Sequence, residues 1–389
     1  MNAMTNSHIA TENSFQSIPK QSTMFESKGM PLTLNRTIIL TLDSAHLGGI
    51  ETHVLTLAKH LHNRGYQVQV WFMREYQTNP LYKLLEQQQI TYQFCTTTKQ
   101  YWQKLKQAKE QIVLHTHGYK AGIVARIAAK LYGIPILSTF HSGDLGRGKL
   151  RVYSQIDLWT AHFAKSIAVS NIIKGWLPQS AQLIPNFVEV PEPTVSRPSK
   201  GSNKTLQVAF VGRLSHEKGP DTFCELARLF EQQQEQLATK DKQNEQPVEF
   251  VLYGDGPDRT ELIDQYHPHV QFKGHVKMQE YWQHVDALCI SSRFEGLPYV
   301  ALEAMSLGIP VITFDVGGLK NLIDSKALGW VVEAGNIQAL KHAIEQWYQL
   351  NGQQREAQSL LLKEKIHQHY STDALIPKIE QLYLDVING

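Results

Sequence analysis

No apolar run in the 389-residue sequence is long enough to cross a bilayer. The richest stretch, 284–316, is broken by Arg293, Glu295 and Glu303, whereas a spanning helix needs about 20 predominantly apolar residues. Cysteine is scarce: Cys95, Cys224 and Cys289 are odd in number, far apart and without metal-ligand spacing. That argues against a disulfide framework and for a reducing compartment. Residues 1–35 are rich in Ser, Thr, Asn and Gln and contain no charged segment leading into an apolar one. A disordered tail is expected there rather than a secretion signal, with Met24 and Met30 as alternative starts, and the protein is expected in the cytoplasm. Also missing is a Gly-x-Gly-x-x-Gly after the first strand with an acidic residue about 20 positions on, which disfavours a dinucleotide-dependent oxidoreductase. No short-period repeat is visible.

What is present is the composition of a globular protein, 42% hydrophobic and 19% charged, on a chain of a length that suits two domains. Charge divides unevenly. Residues 1–195 hold 19 Lys and Arg against 11 Asp and Glu, a balance of +8, and 196–389 hold 19 against 25, or −6. From residue 36 short β-branched runs alternate with amphipathic stretches, the pattern of an α/β fold with parallel sheets covered on both faces. The first set of strands is Thr37–Leu42, 67–72, 112–115, Ile136–Phe140, 166–169 and 182–184, with helices near 51–64 and 120–132 between them. The alternation restarts with Leu206–Val211 and continues through 249–253, 270–272, Ala287–Ile290, Val311–Phe314 and 330–332. Prolines 185, 191, 193 and 198, among Ser, Lys and Asn, mark an extended connection. The expected organisation is an N-terminal domain at 36–190, a linker at 191–205, a second domain at 206–370 and a closing helix, 371–389, that returns towards the first domain. The glutamine-rich stretch 231–247 is expected to be a solvated excursion.

Two segments carry chemistry. In Ser292-Arg293-Phe294-Glu295-Gly296-Leu297-Pro298-Tyr299, continuing to Glu303-Ala304-Met305, Gly296 permits a tight turn and Pro298 suits a first helical turn. The amides that follow can hold a diphosphate, with the helix dipole behind them. Glu295 precedes the helix and Glu303 lies within it, so one carboxylate can address a sugar and the other a pair of ribose hydroxyls. Taken singly, each glutamate would be an ordinary surface residue. Val211-Gly212-Arg213-Leu214-Ser215-His216-Glu217-Lys218-Gly219 is a glycine-bounded loop with two cations, Arg213 and Lys218, suited to neutralising a diphosphate leaving group without a metal.

Together these motifs resemble the retaining GT-B glycosyltransferases, family four (glycosyltransferases group 1), whose donor signature is Glu-Gly-Leu-Pro followed by Glu-Ala. The resemblance covers about 36–389. It implies two Rossmann-like domains facing each other across a cleft, and transfer of a sugar from a nucleoside diphosphate-sugar to an acceptor hydroxyl with retention, without cofactor or metal. A UDP-sugar is favoured as donor and a GDP-sugar comes next. It assigns Glu295 to the donor sugar and to catalysis, Glu303 to the ribose, Arg213 and Lys218 to the phosphates, and Leu297 and Tyr299 to the donor-binding set. Gly48 and Gly49, in Gly48-Gly49-Ile50-Glu51, match the family's loop over donor phosphate and acceptor. In Thr139-Phe140-His141-Ser142-Gly143, His141 matches the catalytic-site histidine, with His117 as a lesser acceptor-side candidate. Tyr253-Gly254-Asp255-Gly256-Pro257 and Phe272-Lys273-Gly274-His275-Val276 match too, although their glycines fit plain strand-end turns equally well. Asp315-Val316-Gly317-Gly318-Leu319-Lys320-Asn321 has Asn321 where relatives often carry a glutamate, so no role is given to it.

His60 and His62 are expected on a helix surface and His115 at a strand end. Neither histidine pair has a third metal ligand at a plausible spacing. A helix over 98–109 would turn Tyr101, Leu105 and Ala108 inward and Trp102, Lys106 and Lys109 outward. That basic face fits solvent and an anionic membrane surface about equally; family analogy tips the balance to peripheral contact at the inner face of the membrane and a glycan or lipid-linked acceptor, with no nucleic acid. The pathway implied is cell-surface polysaccharide, lipopolysaccharide or glycolipid biosynthesis. Rival readings are a nucleotide-sugar epimerase of the same fold, which would yield a sugar isomer from donor alone, and a non-catalytic nucleotide-sugar-binding protein.

Overall fold

The computed structural model describes residues 34–389 except 44, 46, 78, 143, 144, 147, 192–204 and 238–246. Most of the expected tail and linker, and the end of the glutamine-rich stretch, lie outside the described residues.

Two all-parallel sheets organise the chain. The first contains β1 (Thr37–Leu42), β2 (Val68–Phe72), β3 (Thr91–Phe94), β4 (Ile112–His117), β5 (Ile136–Phe140), β6 (Lys165–Ala168) and β7 (Gln182–Leu183), in spatial order β3-β2-β1-β4-β5-β6-β7. The second contains β8 (Leu206–Val211), β9 (Val248–Tyr253), β10 (Gln271–Gly274), β11 (Ala287–Ile290), β12 (Val311–Phe314) and β13 (Gly329–Val332), in order β10-β9-β8-β11-β12-β13. The central strands are largely apolar on both faces because helices cover both faces, β4 departing from this at its carboxyl end with buried His115, Thr116 and His117. Along β1, Ile38, Leu40 and Leu42 enter one core and Ile39 enters the other, joining Trp71 and Leu114. Along β8, Val208 and Phe210 go one way and Ala209 the other, the same two-residue alternation.

Each strand order reverses beside the first strand of its sheet, between β1 and β4 and between β8 and β11. Such reversals splay the connecting loops apart at the carboxyl ends and open a crevice there. Leu42 is paired with His117 at the first reversal, and the loops after Val211 and Ile290 flank the second.

The helix Thr372–Asn388 leaves the second domain and packs on the first. Val188 N–H donates to Tyr370 O at 2.9 Å and Thr372 N–H to Val188 O at 3.0 Å where the chain crosses. Leu375, Ile376, Ile379, Leu382 and Tyr383 then join the core containing Leu57 and Leu61, and Arg64 pairs with Glu380 at 2.7 Å.

Three expectations are corrected. β4 runs on to His117, so His115 is a buried strand-interior residue bonded to Tyr383 Oη and Thr139 Oγ1, both at 2.7 Å. β3 and the helix Pro80–Gln87 were not anticipated. Trp102 does not point outward: its indole N–H donates to Val124 O at 3.2 Å and its ring meets Tyr132, which ties the helix Thr98–Ala108 to its neighbour.

Candidate active site

The second domain's wall is built from the loops after β8 and β11. After Arg213, which is exposed, a short turn, His216–Lys218, ends at Gly219 with φ of +64°. A side chain is excluded at Gly219 because its Cβ would lie 2.2 Å from the Ser291 carbonyl oxygen. This approach brings Lys218 to Glu295: Nζ donates to Oε1 at 2.8 Å and to Oε2 at 2.9 Å, and Ser292 Oγ donates to Oε1 at 2.7 Å. Arg293 braces the same junction, donating to His216 O at 2.7 Å and to both Asp221 oxygens. Leu214 N–H donates to Asp255 O at 2.9 Å and Gly254 N–H to Gly274 O at 2.8 Å, so the glycine loops after β9 and β10 buttress the Arg213 loop.

Pro298 is the N-cap of the helix Tyr299–Ser306 rather than a residue of its first turn. Glu303 lies one turn beyond Tyr299 on that helix, and burial pushes its carboxyl up to about 7. The loop without an assigned role touches the site through its backbone, where Gly318 N–H donates to Gly296 O at 2.5 Å.

The first domain's wall rises from the ends of β1, β4 and β5. Gly48 is the extended N-cap of the helix Gly49–Asn63, and its N–H donates to Glu51 Oε2 at 2.8 Å, the half of a capping box that a residue without a side chain can take part in, which fixes the glycine loop. A Cβ on Gly49 would stand 3.6 Å from the Tyr299 ring. His117 Nδ1 and His141 Nε2 are 3.2 Å apart, and His53, from the helix, lies against both with ring centroids at 5.3 and 4.7 Å. Burial holds His141 down at about 4 and His53 and His117 well below their usual range, so all three are neutral at pH 7.

The two walls meet. His53 Nδ1 and Tyr299 Oη are 2.9 Å apart, and Asn186 Nδ2 donates to Leu297 O at 2.6 Å. A Cβ on Gly296 would fall 2.5 Å from His141 O. Beside His141 opens a mostly apolar pocket lined by Ile50, Tyr119, Phe140, Leu145, Leu158 and Trp176, with the buried Arg126–Asp157 pair at its base.

The residues expected at a site from sequence thus fall into two clusters on facing walls: Lys218, Glu295, Leu297, Tyr299 and Glu303 with the Arg213 loop, and Gly48, Gly49, His117 and His141. Sequence reasoning missed His53 and Asn186, and quoted Glu51 only as the end of the glycine-loop motif, without a role of its own. Glu51 had a signal, since a Glu at the third helical position is half of a capping box. His53 and Asn186 had none, because nothing local marks a side chain that converges on others across 60 or more residues.

Two Rossmann-like domains opposed at their strand-order reversals, with cations and carboxylates on one wall and glycines and histidines on the other, define the GT-B class of sugar-transferring enzymes. Comparison with known proteins agrees. The Glycosyltransferase Family 4 model matches residues 47–191 and the Glycosyl transferases group 1 model matches 193–359. The chain belongs to the GT-B glycosyltransferases of this family and is a glycosyltransferase. It is 25% identical over 315 residues, 73% of this chain and 78% of the relative, to the UDP-Gal:alpha-D-GlcNAc-diphosphoundecaprenol alpha-1,3-galactosyltransferase of Escherichia coli. A glycogen synthase of Mycobacterium tuberculosis is 26% identical over 60% of this chain and 59% of its own length. Among solved structures, Anabaena HepE in complex with UDP superposes with a TM-score of 0.70 at 18% identity, covering 91% of this chain and 99% of that one.

Proposed function

We propose that the protein is a retaining, metal-independent glycosyltransferase that moves a hexose from a UDP-sugar to a lipid-linked or glycan acceptor hydroxyl in cell-surface polysaccharide, lipopolysaccharide or glycolipid assembly, with GDP-sugars as second-choice donors. The observation that carries this reading is the Lys218–Glu295 pair at the mouth of the second reversal, beside the Arg213 loop and the N-terminus of the helix Tyr299–Ser306. Arg213, Lys218 and the amides after Pro298 would hold the diphosphate, and their fixed positive charge grows in value as the leaving group gains charge. Glu303, half-buried, would accept the ribose hydroxyls, and Glu295 would bond the sugar, with Leu297 and Tyr299 shaping the donor seat.

Transfer then proceeds on one face of the sugar. The anomeric carbon's bond to the phosphate oxygen breaks, the acceptor oxygen bonds to that carbon, and the acceptor's proton passes to the departing phosphate. His141, neutral at working pH, acts by hydrogen bonding to the sugar and not as a cation, and His117 sits behind it on the acceptor side. The UDP preference draws on the relatives: the Escherichia coli enzyme uses UDP-Gal, and HepE is solved with UDP and with UDP-glucose.

For the acceptor, support comes from the helix Lys149–Thr160, which is built inside out. It turns Ser154, Thr160 and Asp157 inward, the last onto Arg126, and leaves Leu150, Val152, Tyr153, Ile156 and Trp159 exposed, Trp159 by 66%. Beside the apolar pocket at His141, on the chain's basic half, this face suits an anionic membrane surface bearing a lipid-linked acceptor. In this reading it takes the place of the helix Thr98–Ala108 as the contact element, at the inner face of the membrane; no helix among the described residues is long and apolar enough to cross a membrane.

The direct test is turnover of UDP-sugars, chosen after a thermal-shift screen against UDP, GDP and ADP. Arg213→Ala and Lys218→Ala should each lower kcat by on the order of 100-fold. Near-normal turnover in both would remove the phosphate role.

A further inference from the structure

Three histidines meet in the first domain's wall from elements far apart in sequence: His53 on the helix Gly49–Asn63, His117 at the end of β4 and His141 just after β5. We propose that these three imidazoles form a binding site for a divalent transition-metal ion of the zinc class, and that the ion inhibits the enzyme by occupying the sugar's place in the cleft. The inhibition rests on the functional reading above; the binding does not.

The geometry is that of a set of ligands. One nitrogen from each ring lies within 4.8 Å of the other two. The ring centroids form a near-equilateral triangle with sides of 4.7, 5.3 and 5.5 Å. An ion held by three imidazoles at about 2.0–2.1 Å in a tetrahedral array separates its nitrogens by about 3.3 Å and the ring centres by about 5 Å. His117 Nδ1 and His141 Nε2, 3.2 Å apart, already have that spacing, and small side-chain rotations bring His53 to it.

The site also contains polar atoms left over. His53 Nε2 makes no well-formed hydrogen bond among the described residues, although the Asn186 side chain lies beside His53 and His141, and His117 Nε2 makes none either, on the ring nitrogen other than the Nδ1 that meets His141. Folded proteins seldom leave buried polar atoms unpaired, and such atoms ask for a ligand. His53 Nδ1 is bonded to Tyr299 Oη at 2.9 Å, which fixes the ring and leaves Nε2 as the nitrogen available to an ion, the usual arrangement around a metal-ligating histidine. Three imidazoles without a carboxylate favour zinc, cobalt, nickel or copper over magnesium or calcium. The fourth position of such a set stays open, on the side of His141, the least buried of the three.

Cobalt(II) titration of the full chain provides the test, since a tetrahedral histidine site has visible absorption bands. One equivalent should bind with those bands, and affinity should fall at least about tenfold in His53→Leu and in His117→Leu, while His342→Ala, on an exposed helix face, leaves it unchanged. X-ray absorption at the zinc edge of the wild-type protein counts imidazoles directly, so the outcome does not depend on the variants folding. Fewer than three imidazoles, absent bands, or bands unaltered in a folded His53→Leu protein would overturn the site. Zinc should abolish UDP-sugar turnover and EDTA should restore it; full turnover with zinc bound overturns the inhibition. Calorimetry with UDP on the same preparation separates the two readings. UDP binding without cobalt binding removes the metal site alone, and cobalt binding without UDP binding leaves the metal site standing while the donor reading falls.

Discussion

Glu295 and Glu303 occupy the same nine-residue span in unlike surroundings. Glu295 is held by Lys218 and Ser292, whereas Glu303 is governed by burial, which moves its carboxyl from 4.5 to about 7. A carboxyl whose folded value is raised takes up protons on folding between those two values, so its contribution falls as pH rises through that window. Glu303→Gln removes the penalty. The variant should match the wild type in stability near pH 4.5 and exceed it by up to about 3 kcal/mol at pH 8 in urea denaturation. The same change should weaken UDP binding in calorimetry if the carboxylate accepts the ribose hydroxyls. A variant no more stable at pH 8 than the wild type would show that Glu303 is not desolvated. Both glutamates were legible from sequence because they and their loop form one contiguous motif, as do Arg213 and Lys218. The histidine cluster was not: His53, His117 and His141 meet through the register of β1, β4 and β5 and the rotation of one helix, and no spacing in the chain encodes that meeting.

Strands were the most readable elements. β1, β5, β8, β11 and β12 fall where the apolar runs place them, because a strand buried on both faces is apolar along most of its length. β3 escaped notice because Thr91–Phe94 is a four-residue edge strand with no buried residue. The helix Lys149–Thr160 defeats pattern reading for another reason: its inward face is polar, so periodicity assigns the wrong side to the core. That inversion predicts a function for the outward side. Ile156→Ser together with Trp159→Ser should leave the denaturation midpoint nearly unchanged, since exposed side chains contribute little to stability, yet should reduce cosedimentation with vesicles containing anionic lipid several-fold. Undiminished cosedimentation would move the contact elsewhere. At the opposite wall the element under constraint is the turn ending at Gly219. Ala there combines a left-handed conformation with a backbone clash at 2.2 Å, and about 2–4 kcal/mol of stability should be lost, with UDP affinity falling alongside because Lys218 moves with the turn. A Gly219→Ala protein with unaltered urea midpoint would contradict the close approach to Ser291.

At the scale of the molecule, the cleft exists because the chain crosses between domains twice, at Val188 and again at Tyr370–Thr372. The second crossing delivers a helix that the first domain needs for its own core. Leu375, Ile376, Ile379, Leu382 and Tyr383 are all buried there, and Tyr383 Oη also satisfies His115, which lies beneath His117 in the sheet. Full burial of such side chains contributes about 1.5–3 kcal/mol each, so the five together supply on the order of 10 kcal/mol, comparable with the whole stability of an ordinary domain. Removal of 372–389 should therefore unfold the first domain and leave the second, whose cores contain no residue of that helix, as the folded remnant. Hydrogen exchange on the truncated chain would show β1, β4 and β5 losing protection while β8, β11 and β12 keep it, and donor turnover would vanish because half the cleft is gone. UDP should still bind weakly if the donor seat is confined to Arg213, Lys218 and Glu303. Retained protection in β1 would mean that the closing helix is an ornament on an independently stable domain, and the coupling between the two crossings would have to be sought at Val188 alone.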